Sequence, residues 1–128
     1  MPECKKAVLV EKETAHRDCL TGCYDRMTIQ HLVDLCFLKS DVRQSHAMFV
    51  IDVDNFKDYN DKYGHANGDL CLKHFAAAMK KCFPKDSILG RYGGDEFVVY
   101  IKNAASDDAH RYMDEFQREI SHLIMAGG

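Results

Sequence analysis

Ile88-Leu-Gly-Arg-Tyr-Gly-Gly-Asp-Glu-Phe-Val-Val-Tyr-Ile101 is the stretch that decides how this chain folds. Two apolar, β-prone runs flank Gly93-Gly94, the pattern of a β-hairpin whose glycines supply positive φ in a tight turn. Arg91 stands just before the glycines, and Asp95 and Glu96 follow them at once. A hairpin has no need of two acids at the start of a half-buried strand. Burying carboxylates there costs free energy unless a cation or a metal compensates. The acids are therefore candidates for chemistry rather than for folding.

Upstream, Ala47-Met-Phe-Val-Ile-Asp-Val53 is an apolar run broken only by Asp52, which predicts a central strand buried on both faces. Residues 54–65 are rich in Asp, Asn and Lys and read as a loop, with Gly64 as a breaker. A helix is expected from about residues 67–69, with the stripe Leu72, Phe75, Ala76, Met79 and Phe83, stopped by Pro84. Nearer the start, residues 18–25 read as a loop. Ile29, Leu32, Val33 and Cys36 then give residues 26–39 the spacing of an amphipathic helix. Beyond the hairpin, Ser106, Asp107 and Asp108 open a last helix with the stripe Ala109, Tyr112, Met113, Phe116, Ile120, Leu123 and Ile124. The order from Ala47 is β-α-β-β-α after one leading helix. The expected fold class is α/β (α+β), with a ferredoxin-like or palm core. In that topology a final strand lies beside the first; none is legible here, so the edge of the Asp52 strand is expected to be open.

The 128 residues suit one domain over 18–128, with 1–17 as a leader or the end of a connecting helix. A net charge of -3 argues against a nucleic-acid binder. Six cysteines without CxxC spacing read as reduced thiols, and no apolar run reaches the length of a membrane span. No secretory signal is legible, and a cytoplasmic location is expected.

In a palm sheet the first strand and the hairpin are neighbours, so Asp52 and Asp95 converge at one end with Glu96 beside them. Such carboxylates suit Mg²⁺, which takes few protein oxygens and leaves positions for phosphate and water. The turn over residues 53–57 could cradle phosphate with its N–H groups, and Lys57 could add charge. Asn60 and Asp69, an amide and a carboxylate, could together read a guanine edge. Arg91 could pair with an acid of the site or approach phosphate.

Four segments in order carry a family resemblance: Asp18-Cys-Leu-Thr-Gly22 with Asp25-Arg26; Ile51-Asp-Val-Asp-Asn-Phe-Lys57; Asn60-Asp-Lys-Tyr-Gly-His-Ala-Asn-Gly-Asp69; and Arg91-Tyr-Gly-Gly-Asp-Glu-Phe97. Together they resemble the GGDEF domains, the diguanylate cyclases, with Asp25 where Asn is usual. The resemblance implies Mg²⁺-dependent (or Mn²⁺-dependent) condensation of two GTP into cyclic di-GMP and pyrophosphate across a homodimer. It implies Asp52, the Val53 carbonyl and Asp95 as metal ligands, with Asp52, Asp95 and Glu96 as the catalytic acids. It also implies nucleotide contacts from Asn55, Phe56, Lys57, Asn60, Asp69, Arg91, Gly93 and Gly94, and an upstream sensory or regulatory domain. Pro84-Lys-Asp-Ser87 stands where relatives carry an R-x-x-D inhibitory site, so none is expected. The family's last strand and basic helix are not legible after Met125, which implies weak or no activity for the chain alone. The alternatives are a regulatory module that binds GTP or a dinucleotide without turnover, or an interaction module that dimerises through its open strand edge.

Overall fold

The structure is a computed structural model that describes residues 16–41 and 43–127. The leader expected over 1–17 falls almost wholly outside them, as do the side chains of Leu123 and Ile124. The elements are α1 (Arg26–Lys39), β1 (Ala47–Asp52), α2 (Phe56–Tyr63), α3 (His65–Cys82), β2 (Ile88–Arg91), β3 (Glu96–Ile101) and α4 (Ser106–Gly127). The strands form one antiparallel sheet in the order β1-β3-β2. The α/β palm-like architecture expected from the sequence is present.

β3 is central because its residues Phe97–Ile101 are all apolar or aromatic, and all five are buried. Its alternate side chains serve two cores. Phe97, Val99 and Ile101 meet Leu72, Phe75, Ala76 and Met79 of α3 and Phe116 of α4. The Phe75 ring lies 4.9 Å from that of Phe97 and 5.1 Å from that of Phe116. Burying each such ring stabilises by roughly 1.5–3 kcal/mol. On the opposite face, Val98 and Tyr100 meet Ile88 and Ile29, with Leu32, Val33 and Cys36 of α1 packed around them. The α1 stripe read from the sequence is the stripe that packs. Asp25 caps that helix by accepting the Thr28 N–H at 2.9 Å.

Three expectations are corrected. β1 is not buried on both faces: it pairs only with β3 among the described residues, and Met48 and Val50 are 51% and 65% exposed. The helix α1 covers β2 and β3 but stops short of β1, which an apolar run in the sequence cannot reveal. Second, residues 56–63 are helical, so two helices joined at Gly64 (φ 90°) replace the expected loop and single helix. Third, Gly93 and Gly94 do not take positive φ. The hairpin loop spans residues 92–95, too long to need the two-residue turn that demands it. A Cβ at Gly93 would lie 2.9 Å from Glu96 Oε1, the far end of an exposed side chain that can move aside.

No described helix is long and apolar enough to cross a membrane. Cys19, Cys23, Cys36, Cys71 and Cys82 are free thiols.

Candidate active site

The β1–β3 ladder delivers the three acids to one end of the sheet. Asp52, the last residue of β1, lies opposite Glu96, the first of β3. The next backbone link is the Val53 N–H donating to the Asp95 carbonyl at 2.9 Å. Asp52 and Glu96 are exposed and Asp95 is half-buried, so the desolvation expected for acids on a buried strand is smaller than the sequence implied. Their cost is of another kind: like charges directly opposite on a sheet repel. No described residue gives any of the three carboxylates a hydrogen bond or an ion pair.

Those hard, uncompensated oxygens suit Mg²⁺ or Mn²⁺. Among the described residues no three His, Cys, Asp or Glu side chains form a ready cage. Mg²⁺ does not require one, because it binds through one or two carboxylates plus substrate phosphates. Asp52, Asp95 and the neighbouring Val53 carbonyl are the residues that would hold it.

The chain leaves β1 through Asn55, which adopts the left-handed conformation (φ 57°) and begins α2 without a side-chain cap. The first N–H groups of α2, at Phe56 and Lys57, follow immediately after the acid strand, at the positive end of the helix. Lys57 is exposed. One turn on, Asn60 packs against α3 where Gly68 has no side chain; a Cβ there would lie 1.6 Å from Asn60 Oδ1. That Oδ1 is buried and has no hydrogen-bond partner. A buried acceptor left open in a native fold calls for a donor from elsewhere. Asp69, next in α3, is exposed. Gly68 is a site residue that the sequence reading missed, and its signal was the break Gly64 followed by a second glycine four residues on.

Arg91 sits differently. Its Nη1 donates to both Asp18 carboxylate oxygens at 3.0 Å, and its Nε and Nη2 donate to the Gly94 carbonyl at 3.2 and 2.8 Å. Arg91 pairs with an acid, but not with Asp52, Asp95 or Glu96, the acids of the expected site. Asp18 was not among the expected site residues. Residues 84–87 form a turn in which Ser87 donates to the Pro84 carbonyl.

Residues 15–126 match the family described as diguanylate cyclase, GGDEF domain. Diguanylate cyclase DgcM of Escherichia coli K12 is 28% identical over 117 residues, covering 91% of this chain and 28% of that protein. The cyclic di-GMP phosphodiesterase PdeR of the same strain is 37% identical over 91 residues, covering 71% of this chain and 14% of that protein. The chain thus spans less than a third of either relative. Among solved structures, the GGDEF domain of DgcB from Caulobacter crescentus, in complex with c-di-GMP, aligns with a TM-score of 0.79 and 26% identity. That alignment covers 84% of this chain and 64% of the other. Diguanylate cyclase SiaD of Pseudomonas aeruginosa, in complex with its activator SiaC, aligns at 0.76 with 30% identity, covering 91% of this chain and 45% of that one. With its match running from the first loop to the end of α4, the chain belongs to the GGDEF-domain family of diguanylate cyclases.

Proposed function

We propose that the chain is the catalytic domain of a diguanylate cyclase, joining two GTP into cyclic di-GMP and releasing pyrophosphate. The observation that carries this is the set of three acids at one sheet end with no ion pair to a cation among the described residues. Asp52 and Glu96 are like charges opposite each other on the sheet, a repulsion that a bound cation would relieve. Asn60 Oδ1 accepts an N–H from guanine, and Asp69 accepts a second. The N–H groups at Asn55, Phe56 and Lys57, with the Lys57 ammonium, face the phosphates, and the bare backbone of Gly93 and Gly94 leaves them room. Bound Mg²⁺ supplies charge neutralisation for the triphosphate. Glu96 takes the proton of the 3′-hydroxyl as that oxygen forms a bond to the α-phosphorus of the other nucleotide. The bond from that phosphorus to the bridging oxygen breaks, and pyrophosphate leaves. Each chain holds one nucleotide, so two chains face each other and the reaction is repeated in the opposite direction. The rate gain rests on bringing two reactants together in a fixed alignment.

The test is chromatographic detection of cyclic di-GMP from GTP and Mg²⁺ over a range of chain concentrations. Turnover per chain should rise with concentration, and Asp95→Ala should abolish it. Full activity in Asp95→Ala would overturn the assignment. A second reading, a regulatory module that binds GTP without turnover, draws support from the similarity to PdeR, which is named for a different activity, that of a cyclic di-GMP phosphodiesterase. It predicts calorimetric GTP binding with no product at any concentration.

A further inference from the structure

We infer that Asp18 and Arg91 form a positioning relay through which the loop over residues 17–25 sets the alignment of Asp95 against Asp52. The effect on catalysis rests on the function proposed above; the relay itself does not.

The geometry runs link by link. Asp18 is fixed by its own loop, accepting the Thr21 N–H at 2.9 Å and the Thr21 hydroxyl at 2.8 Å. Its two oxygens then take Arg91 Nη1 at 3.0 Å. The pair is 17% and 24% exposed, so solvent screens it less than a surface ion pair. The rest of the guanidinium fork grips the Gly94 carbonyl. That carbonyl belongs to the peptide unit that carries the Asp95 N–H, so fixing it fixes the plane from which Asp95 departs. The Asp95 carbonyl in turn receives the Val53 N–H at 2.9 Å, one residue beyond Asp52. The loop is also stitched to β2, with the Tyr24 N–H on the Leu89 carbonyl at 3.0 Å and the Arg91 N–H on the Tyr24 carbonyl at 2.8 Å. A planar fork holding two acceptors is a task for arginine that lysine's point charge cannot perform. A displacement of the loop therefore reaches both strand ends that carry the acids.

The experiment compares Asp18→Asn, Arg91→Lys and the double variant with the unmodified chain, by amide hydrogen exchange and by steady-state kinetics. In either single variant the Val53 amide should exchange at least about tenfold faster, while Val99 in mid-β3 keeps its protection. With GTP, kcat should fall roughly 10- to 100-fold while KM stays within about twofold, and the double variant should be no worse than the singles. An unchanged Val53 exchange rate in both single variants overturns the relay. So does a raised KM with unchanged kcat in Arg91→Lys alone, which would make Arg91 a nucleotide ligand. If the unmodified chain makes no cyclic di-GMP, the exchange measurement still decides the relay, and only the proposed function falls.

Discussion

The two ends of the β1–β3 ladder are built from similar backbone and differ in the charge their side chains carry. At the Ala47–Ile101 end, the Ala104 N–H meets the Ser45 carbonyl at 2.9 Å and the Asn103 N–H meets His46 Nδ1 at 3.3 Å. The His46 ring stacks on Tyr100 at 5.5 Å, an aromatic contact that holds this end together although His46 Nε2 and Tyr100 Oη are buried without a hydrogen-bond partner. At the Asp52–Glu96 end, the backbone pairs just as well, but Asp52 and Glu96 stand opposite each other and their carboxylates, with that of Asp95, have no hydrogen-bond or ion-pair partner among the described residues. One end is organised to close the fold. The other carries uncompensated acids, the arrangement that the proposed function uses to meet a charged ligand.

Substitutions at each end and along the strand between them put numbers on that contrast. The largest effect is expected in the shared core. Phe97→Ala should cost about 3–5 kcal/mol in urea unfolding, because the ring is fully buried between α3 and the sheet. Asp52→Asn should act the other way round: turnover falls at least about 100-fold, while the urea midpoint holds or rises, since a repulsive pair has been relieved. A clear loss of stability in Asp52→Asn would erase the distinction between the two ends.

Acid titration gives a smaller effect. Burial alone would raise the Asp18 carboxyl, but hydrogen bonds from Thr21 and Arg91 outweigh it and hold the group below 3.8. A folded-state pKa below the unfolded one contributes stability that is complete above about pH 3.8 and lost as pH falls through the lower folded value. Asp18→Asn should flatten the acid limb of the stability curve, and identical limbs in the two proteins would contradict the ion pair. Smallest of all, Lys81→Ala removes a bridge to Glu119 whose lysine is 69% exposed. It should cost less than about 1 kcal/mol and leave turnover unchanged.

What could be read in the sequence was whatever lies close together along it. The hairpin strands, the α1 stripe and the acid pair after Gly93-Gly94 each occupy a short window, and four such windows in order carried the family. The Asp18–Arg91 ion pair spans 73 positions, and no local pattern announces it. Residues 56–63 escaped for a different reason. In Phe-Lys-Asp-Tyr-Asn-Asp-Lys-Tyr the residues Phe56, Tyr59 and Tyr63 do fall at helical spacing, but the polar residues that outnumber them made the segment read as a loop. The exposure of Met48 and Val50 was hidden because Ala47–Asp52 looks the same whether or not a helix covers it.

The unburied helix has a consequence for how the molecule breathes. A helix with no fully buried residue, held to the core mainly by half-buried Phe56 and Asn60, has less to lose by opening, so α2 should unfold and refold locally while β3 stays shut. Its amides should exchange far sooner than those of Val98 or Val99. A nucleotide engaging Asn60 would close that gap by mass action, slowing exchange in α2 in proportion to its saturation. The same weakness makes α2 a built-in reporter of occupancy, readable before any product has formed.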